Sequence, residues 1–376
     1  MMTEPLTRAR RRVDSVLCRR WHLDRVLGGG DTSVVYAGSA RERRKRLAAI
    51  RVLHPEFSAD DVIRARFFRE GYLGNEVPHP ATVRTITHGQ AEDGSAFLVM
   101  DLVPGQTLRE RVARGPLPLT EALCVADQLL DVLVSAHANG ITHRGLAPHH
   151  LILEPSGRVR VLDFGGARLR DVTSGSGRVG SFSGPIGYAP PEQVRGCAAP
   201  DDPRCDLHAV GAILYHLLCG RRMHEAVTSS EQIARTISAP PPSIVDAAPH
   251  LPPSVVAVVD TALRYLPEER WPDAPTMQRA LRQAIPELSP HDAPALQARR
   301  RPSAPPGAAR QWGAAPEKQL ALGTGAASEP PPSTEAPAER GRGTPWLAAL
   351  LSPERAPRPR RGFSELAFGA ESGGED

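Results

Sequence analysis

Lysine is almost missing from this chain. Of the 46 lysines and arginines in 376 residues, two are lysines, Lys45 and Lys318. Chemistry that needs an ammonium group at a defined place must use one of these or do without. Cysteine is sparse: five, Cys18, Cys124, Cys197, Cys205 and Cys219, widely spaced and with no C-x-x-C pair. An odd number at such spacing reads as reduced thiols. No apolar run approaches the roughly 18–20 residues of a membrane-spanning helix. Asp14, Arg19 and Arg20 interrupt any secretory apolar segment after the basic residues Arg8 to Arg12. A cytoplasmic location without a membrane span is the expectation. The net charge of +4 is small for this length, and no nucleic-acid partner is expected.

What is present suffices for one large domain of two lobes with extra segments, since 40% of the residues are apolar. Residues 1–17 are polar and Arg-rich, and are expected to form a flexible basic extension. Trp21 to Leu27 reads as a strand, Gly28-Gly29-Gly30 as a turn and Ser33 to Ala37 as a second strand. Residues 39–46 read as a charged hairpin tip, with a third strand from Leu47 to Leu53. Val62, Ile63, Phe67 and Phe68 lie on one face of a helix over Asp60 to Tyr72. Val83 to Thr87 and Phe97 to Leu102 complete a sheet-rich lobe. After Pro104-Gly105 the pattern turns helical: Thr120 to His137 with Thr120 as cap, Leu207 to Leu218 ended by Gly220, Val255 to Leu263, and Pro275 to Ala284. From Pro286 onward fifteen prolines mix with Ala, Gly, Ser and Arg, a composition that cannot offset its ordering entropy. The expected division is therefore 1–17 extension, 18–103 sheet-rich lobe, 104–285 helix-rich lobe and 286–376 disordered tail. Pro330-Pro331-Pro332 and Trp346 to Leu351 are candidate docking motifs in that tail.

The chemistry-bearing stretch is His143-Arg144-Gly145-Leu146-Ala147-Pro148-His149-His150-Leu151-Ile152-Leu153, followed by Asp163-Phe164-Gly165. Gly28-x-Gly30-x-x-Ser33-x-Val35 and Ala48-Ala49-Ile50-Arg51 precede it, and Ala189-Pro190-Pro191-Glu192 follows. In this order the motifs resemble those of the bacterial "eukaryotic-like" serine/threonine protein kinases, over residues 20–284. The resemblance implies an α+β bilobal protein-kinase-like fold, with a small antiparallel β lobe carrying one helix and a larger, mainly helical lobe.

The resemblance also implies site roles. Leu27, Gly28, Gly30 and Val35 would cover ATP. Ala49 and Arg51 on the third strand and Glu70 on the helix would form its inner wall, with Arg51 paired to Glu70. Met100 would be the gatekeeper, and the backbone of Asp101 and Val103 would meet the base edge. Asp163 would hold Mg²⁺. Asp31 is a departure, because a carboxylate at the loop tip repels phosphates. Thr173, Ser174, Ser176, Ser181 and Ser183 are candidate phosphosites in the segment 166–187. Glu192 would pair with Arg270, and Asp206 would cap its helix and bond back to the loop backbone.

Three positions depart from the family's H-R-D-L-K-P-x-N pattern. Gly145 stands where the family has Asp, Ala147 where it has Lys, and His150 where it has Asn. In the family these groups handle the substrate hydroxyl proton, the γ-phosphoryl charge and a second Mg²⁺. Arg51 stands where the family has the lysine that reaches the phosphates. Scaffold residues remain and transfer residues are gone, so the expectation is a pseudokinase that signals by binding proteins, with ATP and Mg²⁺ as possible ligands. The alternative is an active ATP-dependent serine/threonine kinase with a non-standard site, in which His149 or His150 would serve as base.

Overall fold

Alternating burial drives the first part of the chain into a sheet. The structure, a computed structural model, describes residues 4–30, 32–41, 43–164, 185–197 and 202–284. Asp31, Gly165, the five candidate phosphosites and everything from 285 onward, with both candidate docking motifs, lie outside the described residues. Strands β1 (Val16–Leu17), β2 (Trp21–Gly29), β3 (Ser33–Ala40), β4 (Arg43–Leu53), β5 (Thr85–Gln90) and β6 (Ala96–Asp101) form one antiparallel sheet in the order β1-β2-β3-β4-β6-β5. The period of two decides its faces. Val34, Tyr36, Ala48, Ile50, Val52, Phe97 and Val99 point to one side, where they pack with Trp21, Leu23 and Ala9. Leu53, Ala96 and Leu98 point to the other, against Ile63 and Phe67.

The expected flexible extension is instead partly ordered. Glu4–Arg11 is a helix, α1, whose Ala9 is buried on the sheet's outer face. The Tyr36 hydroxyl donates to the Ala9 carbonyl at 3.1 Å, and Arg12 reaches Ser95 at 3.1 Å. Among the described residues, buried Ala9 and its carbonyl help tie down this Arg-rich helix, a signal too slight to read from composition. The hairpin between β3 and β4 is tighter than expected, because both strands extend into the stretch read as its tip. Likewise β2 runs through Gly28 and Gly29 rather than turning there.

After the short helix α2 (Pro55–Ser58) comes α3 (Asp61–Glu76). Asp60 caps α3 by accepting from the N–H groups of Val62 (2.8 Å) and Ile63 (3.1 Å). The second lobe begins with Gly105, which has φ 141° and leaves a Cβ only 2.4 Å from the Leu153 carbonyl oxygen, so only glycine fits there. The elements that follow are β7 (Gln106–Thr107), α4 (Leu108–Val112), α5 (Leu119–Ala138), β8 (Leu151–Leu153) and β9 (Val159–Val161). After them come α6 (Pro191–Val194), α7 (Arg204–Cys219), α8 (Ser229–Ser238), α9 (Ile244–Ala247), α10 (Pro253–Ala262) and α11 (Ala274–Ala284). A small sheet β7-β8-β9 carries the loop residues that face the other lobe.

The larger core lies among α5, α7, α10 and α11, built on Leu129, Leu133, Leu207, Leu214, Val259 and Leu281. Each such side chain contributes about 1.5–3 kcal/mol through burial. Gly220 ends α7 in the left-handed conformation, φ 70°, as expected. Two expected caps differ: α5 starts at Leu119 after Pro118, so Thr120 lies inside it, and Asp206 lies in the first turn of α7 without capping it. Among the described residues no helix is long and apolar enough to cross a membrane.

Candidate active site

Strand register assembles the inner wall of the cleft. Gly28 is opposite Val35, Val35 is opposite Arg51, and Ala49 is opposite Met100. Gly28 and Gly30 have open space where a Cβ would stand. The chain's own packing therefore does not demand glycine at either place, and what these residues keep clear is room outside the chain. Leu27 is partly exposed beside them and Ala49 is buried in the wall. At the lobe connection the Asp101 N–H is taken by the Arg84 carbonyl at 3.1 Å. The Val103 N–H has no backbone partner among the described residues, which leaves a donor for a base edge.

Arg51 does not pair with Glu70 as expected. Its Nη1 donates to Asp163 Oδ1 at 2.6 Å, its Nε donates to the Ser33 hydroxyl at 3.0 Å, and its guanidinium lies 5.5 Å from the Phe67 ring centre. Glu70 is held by Arg66, one turn away, through Nε at 3.2 Å. The i,i+4 spacing gives Glu70 a local cation in Arg66, and Arg51 is bonded to Asp163 instead. Burial pushes its carboxyl up, only partly opposed by the Arg66 charge, to about 7 from 4.5. Asp163 is the stronger anion. Burial alone would raise it, but Arg51 first, then His150, outweigh that and bring it down to about 2.

Glu70 gives a testable pH dependence. The native state favours its protonated form, so its contribution to stability falls as pH rises from about 4.5 to about 7. Glu70→Gln is expected to match the wild type near pH 4.5 and to exceed it by roughly 3–3.5 kcal/mol at pH 8, taking about 1.4 kcal/mol per pH unit. Denaturant melts of both proteins across that range check this, and a constant difference between them contradicts it. Asp163 has the opposite sign: its contribution is lost only as pH falls from 3.8 through about 2 and leaves this window untouched.

The loop between α5 and β8 is pinned from beneath. Asp206 accepts the backbone N–H groups of His143 and Arg144, each at 2.8 Å, and His137 Nε2 at 2.9 Å. Arg144 has φ 61°, so successive N–H groups converge on one carboxylate. Gln193 donates to the Arg144 carbonyl at 2.6 Å. His143 is fully buried, and burial keeps it neutral. Its Nε2–H donates to the Leu162 carbonyl at 2.9 Å, and its ring packs 4.6 Å from Phe164. The expected bond from Asp206 back to the loop is thus present. Glu192 and Arg270 also meet as expected, at 2.7 and 2.9 Å in a forked pair.

At the positions that depart from the family pattern, Gly145 has no side chain and Ala147 is fully buried. His150 donates from Nδ1 to the Gly145 carbonyl at 2.6 Å, which turns its Nε2 toward Asp163 Oδ2 at 3.5 Å. Burial lowers the His150 pKa, with Asp163 opposing. Mg²⁺ demands near-octahedral oxygen ligands. Here the one carboxylate has an oxygen bonded to a guanidinium and its other oxygen facing an imidazole. Gly28 and Gly30 leave open space beside the wall, whereas the donors around Asp163 do not fit Mg²⁺.

Four contributors escaped the sequence reading in these roles: Ser33 and Arg66, which divide the partners of Arg51 and Glu70, and His137 and Gln193, which brace the loop. Only Arg66 left a local signal, its spacing from Glu70.

Residues 21–283 match the family model described as "Protein kinase domain". The chain is 31% identical over 266 residues to the probable serine/threonine-protein kinase PknB of Lactococcus lactis, covering 70% of this chain and 42% of that protein. It is 31% identical over 267 residues to the serine/threonine-protein kinase PrkC of Bacillus subtilis, covering 71% and 40%. It is 35% identical over 259 residues to the serine/threonine-protein kinase pkn2 of Myxococcus xanthus, covering 68% and 31%. The chain thus spans less than half the length of these relatives. The kinase domain of Mycobacterium tuberculosis PknI superposes with TM-score 0.57 at 23% identity, over 73% of this chain and 98% of that domain, a likeness of fold. With the match running from the start of β2 into α11, the chain belongs to the protein kinase domain family.

Proposed function

We propose that this kinase domain has kept its scaffold and lost its phosphoryl-transfer machinery, and that it acts in signalling by binding a protein partner, with a nucleotide as ligand of the cleft. The observation that carries this reading is the loop 145–150. A base acting on the substrate hydroxyl is worth on the order of 10²–10⁴ in rate, and Gly145 brings no group to that place. Ala147 brings no cation for the moving phosphoryl. Of the chain's two lysines, Lys45 lies in β4 six residues before Arg51, and Lys318 lies outside the described residues. The pinned loop, the Glu192–Arg270 fork and the cleft wall are what a binding domain needs, since a bound nucleotide can favour one arrangement of the lobes and so bias a partner surface.

The second reading is an active serine/threonine kinase with a non-standard site, and the likeness to serine/threonine-protein kinases favours it. Under that reading His149, exposed beside His150 at a ring separation of 4.1 Å, or His150 itself takes the hydroxyl proton. Intact-mass spectrometry after incubation with Mg-ATP separates the two. Our reading predicts an unmodified protein. Phosphorylated wild type beside an unmodified Asp163→Asn variant supports the active kinase.

A further inference from the structure

We infer that this cleft takes its nucleotide without a divalent cation, because Arg51 occupies the place at Asp163 that the metal would need. The inference rests on the nucleotide-binding part of the reading above and adds how the charge in the cleft is balanced.

The geometry is specific. The Arg51–Asp163 contact is 2.6 Å, and the two side chains are 18% and 16% exposed, so the pair is largely shielded from water. A shielded, charge-assisted bond of this kind is strong in both directions: displacing Arg51 leaves a buried cation, and binding a metal beside it brings two cations to one carboxylate. The guanidinium is also held by the Ser33 hydroxyl at 3.0 Å and lies against Phe67, so it does not swing away as a lysine ammonium on its flexible stem can. Its Nη2 amino group has no hydrogen-bond partner among the described residues, which leaves one face of the fork for an anionic oxygen. The remaining oxygen of Asp163 faces His150 Nε2 at 3.5 Å. That nitrogen stands where the family places the amide oxygen of Asn, and Mg²⁺ prefers oxygen. The base then rests on the wall at Ala49 and Met100 and on the Val103 N–H, and the Arg51 guanidinium takes the phosphate charge that a metal would otherwise balance.

The test is titration of the full chain with ATP by calorimetry in three buffers: EDTA, excess Mg²⁺ and excess Mn²⁺. The expected result is one dissociation constant, the same within about twofold in all three, with ADP alike. A tightening of about tenfold or more by either cation overturns the inference while leaving nucleotide binding intact. No binding in any buffer overturns it together with the nucleotide part of the proposed function. Arg51→Lys and Arg51→Met test the role of the guanidinium, each checked for folding by its thermal melt. In both, Asp163 is released and Mg²⁺ dependence of at least about fivefold is expected. A folded variant as indifferent to Mg²⁺ as the wild type overturns the role given to Arg51.

Discussion

Replacing Gly145 by Asp, Ala147 by Lys, His150 by Asn and Arg51 by Lys in one protein is expected to raise phosphoryl transfer from ATP by at least about 10²-fold. That lower bound is the contribution of a positioned base alone. The returned cation adds to it by stabilising charge that develops in transfer, although such contributions do not simply multiply. The backbone permits the change. Position 145 is not among the residues with positive φ, so its backbone does not require glycine. The backbone before it is fixed by the Asp206 carboxylate and by Gln193, so the new carboxylate is carried by a held loop. Ala147 is the harder site, because it is fully buried, and a lysine there must run its stem along apolar surface and bring its ammonium out to the cleft. Gly145→Asp with His150→Asn, leaving Ala147 in place, is therefore the companion variant and is expected to show a smaller gain. Labelled-ATP initial rates read the effect, with thermal melts to confirm folding. A folded fourfold variant as inactive as the wild type contradicts the claim that the scaffold is intact.

Arg270→Met is expected to lower stability by about 3–5 kcal/mol, the cost of breaking a buried ion pair from one side. The Arg270 side chain is fully buried and donates to both oxygens of Glu192, to the Arg264 carbonyl at 2.7 Å and to the Tyr265 carbonyl at 2.9 Å. Methionine fills similar volume but leaves Glu192 charged and two carbonyls without their donor. At about 2–4 °C per kcal/mol for a domain of this size, the melting temperature falls by on the order of 10 °C. Glu192→Gln with Arg270→Met is expected to recover part of that loss, because the uncompensated charge is gone. The contrast is Arg8→Ala, which removes an ion pair with Glu56 whose side chains are 55% and 54% exposed and is expected to leave the melting temperature unchanged. Equal shifts for Arg270→Met and Arg8→Ala contradict this assignment.

Much of the scaffold was legible because its determinants are periodic or paired by type. The β2 to β6 strands show alternation, α7 shows a leucine stripe ending in Gly220, and Glu192 with Arg270 is a charge match in motifs of known order. What misled was competition between partners. Arg51 had two carboxylates to choose between, and the sequence does not show which of them another cation already holds. That depends on burial and on Arg66, which a three-dimensional environment alone defines. The ordering of α1 was hidden for a related reason: it rests on Ala9 meeting a sheet face built by residues far along the chain. The caps failed where proline intervened, since Pro118 and Pro203 set the helix starts and left Thr120 and Asp206 inside. The losses at 145, 147 and 150 were visible from residue identity alone, because glycine, alanine and histidine cannot supply a carboxylate, an ammonium and an amide oxygen in any environment.

The most direct measurement is the initial rate at which the full wild-type chain moves labelled phosphate from Mg-ATP onto itself and onto a generic serine/threonine substrate, beside Asp163→Asn. The account predicts rates for the two proteins that coincide with the enzyme-free background. Incorporation by the wild type that disappears in Asp163→Asn would contradict it.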